Sequence, residues 1–237
     1  MSIASDDLNL PSNNETCLPQ QCHFLTWNIL FDYHHSNLLY TSQRYRSILD
    51  TLKSLLPDII CLQEVTSQFF NLLLNESWLQ ENNYFIIVMK SVINSEEEKS
   101  YGQLLLMKKI RPRSFSICPL DTSNDTPTAT TTATAAAATT TTKELIIARF
   151  GLNSKTTIDL VNLHLHSDRS RNANEKRCRA LQNLFRQMKN NNYMLIGDFN
   201  FGDYNAKEQN LLETYRNEVH DLWKDMFDLN EVRFALS

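Results

Sequence analysis

Five polar residues stand at or just beyond the carboxyl ends of apolar runs, and their types are those of a hydrolytic site. Asn28 closes the run from His23, Glu64 follows Asp58-Ile-Ile-Cys-Leu-Gln63, and His164 follows Val161-Asn-Leu163. Asp198 and Asn200 follow Tyr193-Met-Leu-Ile-Gly197. A carboxylate and an amide aimed together off a strand end can hold a water, a metal ion or a phosphate oxygen. Open α/β proteins build their sites from such strand ends. Asp198 and Asn200 flank Phe199, so on an extended backbone both side chains project to one side. Each residue alone has a plainer reading: a turn residue for Asn28, a helix N-terminal acid for Glu64, a surface histidine for His164, an Asx turn for Asp198 and Asn200. Their shared placement is what favours chemistry.

The elements that position these residues follow from periodicity. The apolar run before Gly197 reads as a short strand buried on both faces, ended by a tight turn at the glycine. Only four glycines occur in the chain, so each needs a reason. Between Ser42 and Leu56, residues Tyr45, Ile48, Leu49, Leu52, Leu55 and Leu56 keep helical spacing, and Pro57 stops the helix. A second helix is expected over Phe69–Leu79. Strands are expected over Asn83–Lys90 and Gly102–Lys108, joined by a solvated acidic loop at Glu96–Glu98. Glu144–Phe150 and Thr157–His164 read as a hairpin, and 174–190 as a helix with Leu181, Leu184, Phe185 and Met188 on one face. A last helix is expected over Leu211–Phe227. Alternating strands and helices into which hairpins intrude predict an α/β sandwich of mixed sheets. Residues 1–20 read as a disordered polar tail before a domain over 21–237, and the Thr/Ala-rich stretch 121–142 as a low-complexity surface loop.

Composition narrows the classes. A net charge of −4 argues against an indiscriminate nucleic-acid binder and leaves room for a local basic groove. Arg169, Arg171, Lys176, Arg177 and Arg179 place five cations in eleven residues, enough to track a phosphate backbone or to form a solvated helix face paired with Glu175. Trp27 could stack a base or belong to the core. Five cysteines without zinc-like spacing, Cys61 among them inside an apolar run, point to reduced thiols and a cytosolic or nuclear chain. No run reaches the length of a membrane span, so no membrane association is expected.

Trp27-Asn28-Ile29, Leu62-Gln63-Glu64-Val65, His164-Leu165 and Gly197-Asp198-Phe199-Asn200, in this order, resemble the endonuclease/exonuclease/phosphatase superfamily. The likeness covers about residues 23–228. Thr26-Trp-Asn-Ile29, Pro57-Asp-Ile-Ile-Cys-Leu-Gln-Glu-Val65 and the Arg177 helix draw it toward the branch that releases 5′-tyrosyl adducts from DNA, and Asp203 and Asp221-Leu-Trp223 also fit. The resemblance implies a DNase I-like, four-layer sandwich of two mixed sheets flanked by helices. It implies a Mg²⁺-dependent phosphodiesterase, with Mn²⁺ as a substitute, in which Glu64 holds the metal. Asn28 and Asn200 would orient carboxylate and phosphate, Asp198 would handle the attacking water, and His164 would donate to the phosphoryl oxygens. Arg177 and Trp27 would contact substrate. The partners implied are nucleic acid, DNA 5′ ends above all, for a monomer working in nucleus or cytoplasm. RNA deadenylases, abasic-site endonucleases and lipid phosphodiesterases share Leu-Gln-Glu and Gly-Asp-x-Asn, so those substrates stay open. The family's terminal Asp strand and Ser-Asp-His segment have no counterpart between Asp221 and Ser237, and His220 stands in another context. The expectation is therefore a chain lacking the last strands of its second sheet and weakly active or inactive, or a catalytically dead module that binds phosphate or nucleic acid.

Overall fold

The computed structural model describes residues 2–4, 17–31, 39–93, 100–120, 143–153 and 155–222. The Thr/Ala-rich stretch 121–142, the loop at Glu96–Glu98, Trp223 and most of the stretch 1–20 lie outside the described residues. The chain divides into two compact units, residues 1–165 with 190–200, and residues 166–189 with 201–237.

Among the described residues of the first unit, nine strands form two mixed sheets. One sheet takes β1 (Ser2–Ala4), β2 (Phe24–Asn28), β3 (Ile59–Thr66), β4 (Tyr84–Val88) and β5 (Tyr101–Lys108), in the order β1-β4-β5-β3-β2. The other takes β6 (Ser114–Pro119), β7 (Glu144–Gly151), β8 (Thr157–His164) and β9 (Asn192–Asp198), in sequence order. The expectation of mixed sheets holds: β2 runs parallel to β3 and β9 parallel to β8, whereas β3, β4 and β5 pair antiparallel, as do β6, β7 and β8. Central strands β3, β4 and β5 are nearly all buried and largely apolar, as strands covered on both faces are. Ile60, Leu62 and Leu104 of the first sheet share one core with Ile146, Phe150 and Leu160 of the second. Helix α1 (Thr41–Leu55) adds Tyr45, Ile48, Leu49 and Leu52 to that core. Thr66, the end of β3, caps α2 (Ser67–Leu74) by accepting from the Phe69 amide at 3.1 Å.

Several boundaries differ from the periodic reading. The expected helix over 69–79 is two, α2 and α3 (Ser77–Glu81), because the chain turns at Asn75, whose amide reaches the Leu72 carbonyl at 3.2 Å. A short α4 (Lys90–Ile93) follows β4. Strand β6 has no clean alternation in Ser-Phe-Ser-Ile-Cys-Pro and was not foreseen. Within the stretch read as a disordered tail, Ser2–Ala4 pairs in parallel with β4, and Cys17 bridges to Gly151. All five cysteines are free thiols, as expected, though only Cys61 is buried. No helix among the described residues is long and apolar enough to cross a membrane.

The second unit contains α5 (Ala173–Met188) and α6 (Ala206–Thr214). The last helix was expected over 211–227; α6 begins at Ala206 and gives way to turns after Thr214, and residues 223–227 of that expectation lie outside the described residues. Phe185 and Tyr215 stack with ring centroids 4.8 Å apart.

Gly197 does not end its strand. β9 continues through Asp198 and is half-buried rather than covered on both faces. The glycine is required by close approach: its φ is +140°, and a Cβ there would collide with the carbonyl oxygen of Leu163 on β8. Gly197→Ala is expected to destabilise the chain by roughly 3 kcal/mol or more, through strain plus separation of β8 from β9. Urea unfolding of the two proteins checks this.

Candidate active site

Each sheet brings two neighbouring parallel strand ends to the site. In the first, Asn28 of β2 stands in register with Gln63, one residue before Glu64. In the second, His164 and Asp198 are a register pair of β8 and β9. The Asn28 amide joins the two sets. Its Nδ2 donates to Glu64 Oε1 at 3.1 Å and to Asp198 Oδ2 at 2.7 Å, while its Oδ1 accepts from the Leu30 amide at 3.0 Å. That last bond fixes which end of the amide faces the acids. Glu64 Oε2 accepts from the Phe31 amide at 2.6 Å. His164 Nε2 lies 3.6 Å from Glu64 Oε1 and 3.7 Å from Asp198 Oδ2. The imidazole is buried, whereas the carboxylates are 19% and 25% exposed, so water reaches the acids.

The backbone is strained where these groups are aimed. Leu30, Glu64 and Asn200 take φ values of 63°, 57° and 54°, in the left-handed region that non-glycine residues seldom occupy. For Asn200 this corrects the extended alternation expected of Asp198 and Asn200. The Asn200 amide instead donates to Asp198 Oδ1 at 2.9 Å in an Asx turn, and its Nδ2 donates to the Leu165 carbonyl at 3.0 Å. Asp198 thus serves both readings at once: one oxygen holds the turn and the other faces Asn28.

Two neighbours were not found by sequence reasoning. Tyr101 opens β5, with its ring centroid 6.3 Å from His164 and 4.7 Å from Phe31. Burial, then the charge of Glu64, pushes its phenol above the usual range. Lys143 sits just before β7, and its Nζ donates to the Leu165 carbonyl at 2.6 Å, sharing that acceptor with Asn200. Burial lowers the Lys143 ammonium to about 8, against the opposing pull of Glu64 and Asp198. A lysine at the edge of a Thr/Ala-rich stretch carries no signal of this in the sequence.

Arg177 and Trp27, expected at the substrate, have structural surroundings. Arg177 is 1% exposed; its guanidinium donates to Glu208 and Asp168, each at 2.7 Å, and to the His166 carbonyl at 2.9 Å. Burial forces such a cation to pair. Trp27 is half-buried and packs against the core. It alternates with Asn28 along β2 and so projects from the opposite face of the strand.

Two mixed sheets inside an α/β unit define a DNase I-like fold, and acids, amides and a histidine gather at its neighbouring strand ends. The model of the Endonuclease/Exonuclease/phosphatase family matches residues 25–225, and the chain belongs to that family. Membership brings a nuclease or phosphodiesterase type of function, in a family whose members are generally dependent on a divalent metal ion. Among solved structures, an endonuclease/exonuclease/phosphatase from Bacteroides vulgatus is similar at 19% identity and TM-score 0.57, over 81% of this chain and 70% of that one. Danio rerio TDP2 humanised by 14 mutations is similar at 20% identity and TM-score 0.54, over 80% and 70%. Danio rerio TDP2 complexed with a single-strand DNA product is similar at 18% identity and TM-score 0.55, over 89% and 71%. At such identities the likeness is one of fold. No curated protein matches the chain.

Two outcomes test these assignments. The folded chain releases the Lys143 proton at about 8 and the unfolded chain near 10.5, so stability should rise with pH across that window. Lys143→Met should accordingly be more stable than the parent at pH 7, by roughly 3 kcal/mol, with the gap closing as pH approaches 10; urea titrations at several pH values measure it. Arg177→Met strands the buried Glu208 carboxylate and should cost about 3–5 kcal/mol. The charge-free pair Arg177→Met with Glu208→Met should recover most of that loss in the same assay.

Proposed function

We propose that this chain is a divalent-metal-dependent phosphodiesterase that cleaves at nucleic-acid ends, with 5′-tyrosyl-DNA as its substrate. The observation that carries the reading is the meeting of Glu64, Asp198 and His164 around the Asn28 amide. Hard carboxylate oxygens suit Mg²⁺ or Mn²⁺. Among the described residues no three His, Cys, Asp or Glu side chains form a ready chelate, so an ion held by Glu64 would complete its shell with water and substrate oxygens. When bound, such an ion polarises a phosphoryl oxygen and steadies the leaving group.

The remaining work belongs to the chain's own side chains. Asn28 keeps both carboxylates turned to the same space and offsets their repulsion with its two N–H groups. Asp198, its Oδ1 held by Asn200, takes the proton of an attacking water. Asn200 has a second Nδ2 hydrogen beyond the one given to Leu165, and with His164 it donates to oxygens on which negative charge builds. Lys143 adds a cation behind the acids. Tyr101 and Phe31 offer ring faces at the rim for a base or a tyrosyl group to lie against. The DNA product in one structurally similar protein agrees in kind with this substrate class. A DNA-end substrate goes with work in the nucleus or the cytoplasm, and the working species of this proposal is a monomer.

The test is a panel of 5′-tyrosyl oligonucleotide, abasic duplex, poly(A) and sphingomyelin, each with Mg²⁺ and with EDTA. Metal-dependent release of tyrosine, lowered at least 10²–10³-fold in Glu64→Gln and in Asp198→Asn, is the expected result. Preference for another member of the panel moves the substrate and keeps the site. Oligonucleotide binding that survives EDTA without any hydrolysis would replace the enzyme by a binding module.

A further inference from the structure

Glu64 owes its position to a break in its strand. Between Leu62 and Val65 the β3–β5 register slips: Leu62 stands opposite Leu104 and Val65 opposite Gly102, so Gln63 and Glu64 together oppose the single residue Gln103. This bulge is where Glu64 takes its φ of 57° and turns its carboxylate toward Asn28. A bulge in a buried strand needs something to hold it open, because neighbouring polar groups lose regular partners.

The holder comes from the other sheet. Asn162 of β8 is fully buried, and its Nδ2 donates to the Leu104 carbonyl at 3.1 Å and the Leu62 carbonyl at 3.3 Å, the pair at which regular register stops. Its Oδ1 accepts from Gln63 Nε2 at 2.8 Å, inside the bulge itself. The two carbonyl acceptors fix the orientation of the Asn162 amide, and that in turn fixes the orientation of Gln63. Asn162 and His164 lie two residues apart on β8 and so share a face of the sheet. One side chain therefore ties the strand that aims Glu64 to the strand that ends in His164.

We propose that Asn162 is a positioning residue for the metal site: by bonding both sides of the bulge it sets the backbone from which Glu64 reaches the ion. It touches neither substrate nor metal and acts through Glu64. The inference rests on the reading of Glu64 as metal ligand, and its test separates the two.

Mn²⁺ binding to the 237-residue chain is measured by electron paramagnetic resonance, without substrate, for the parent, Asn162→Ala, Glu64→Gln and Tyr84→Phe. Tyr84 donates a buried hydrogen bond to the Pro57 carbonyl at 2.6 Å, so Tyr84→Phe controls for lost stability alone. Asn162→Ala is expected to weaken Mn²⁺ binding roughly tenfold or more, while Tyr84→Phe stays within about twofold of the parent although both unfold more easily. Asn162→Ala within about twofold of the parent, with Glu64→Gln strongly impaired, overturns the positioning role and leaves the metal assignment standing. Equal weakening by Tyr84→Phe also overturns it. Unchanged binding in Glu64→Gln overturns both. If Asn162→Ala gives no cooperative unfolding, Gln63→Met takes its place with the same dividing line, since it removes the bond inside the bulge and leaves the Asn162 donations in place.

Discussion

Two carboxylates from different sheets, both within reach of one amide nitrogen, are the constraint on which the rest of the first unit depends. Glu64 and Asp198 repel each other, and the partial exposure that lets water in softens the repulsion without removing it. The two N–H groups of Asn28 and the imidazole of His164 beside them offset that repulsion. Those groups arrive together only because each sheet sets a parallel pair side by side, β2 with β3 and β8 with β9. The sandwich core, with Ile60, Leu62, Ile146 and Leu160 in one cluster, then fixes how closely the two pairs approach.

Left-handed backbone also occurs where the acids are aimed. Leu30, Glu64 and Asn200 hold left-handed backbone, and each is secured by hydrogen bonds: Leu30 donates to Asn28, Glu64 accepts from the Phe31 amide, and Asn200 donates to Asp198 and to the Leu165 carbonyl. A half-buried lysine adds a second unfavourable feature, because Lys143 keeps an ammonium where burial disfavours charge. Such costs are tolerable when the surrounding core is large, and here the buried apolar residues of three central strands supply it.

Much of this was legible in the sequence because the strongest signals are local. Leu49 and Leu52 revealed α1 by spacing, and the apolar runs before Asn28, Glu64, His164 and Asp198 revealed both the strands and the residues at their ends. What escaped depends on partners distant in the chain. Arg177 looks like any helix cation until Asp168 and Glu208 close around it. Lys143 acquires meaning only from Leu165 and the acids beyond it. Gly197 looked like a turn because the approach of Leu163 is not written in its neighbours. Asn162 hid inside a strand that was read correctly, since nothing in Val-Asn-Leu-His tells that the amide crosses to another sheet.

The Asn28–Asp198 contact spans 170 residues, while the Asn28–Glu64 contact spans 36. On a ribosome, Asn28 and Glu64 leave the exit tunnel long before Asp198 is made. During that interval a nascent chain can form β2 beside β3, but it has no second acid and no β9 with which to finish the other sheet. Closing so long a loop is slow, and until it closes half-built sandwich faces stay open to water. The acids are thereby kept apart during synthesis, and the same delay leaves the unfinished chain with exposed apolar faces of the kind chaperones bind.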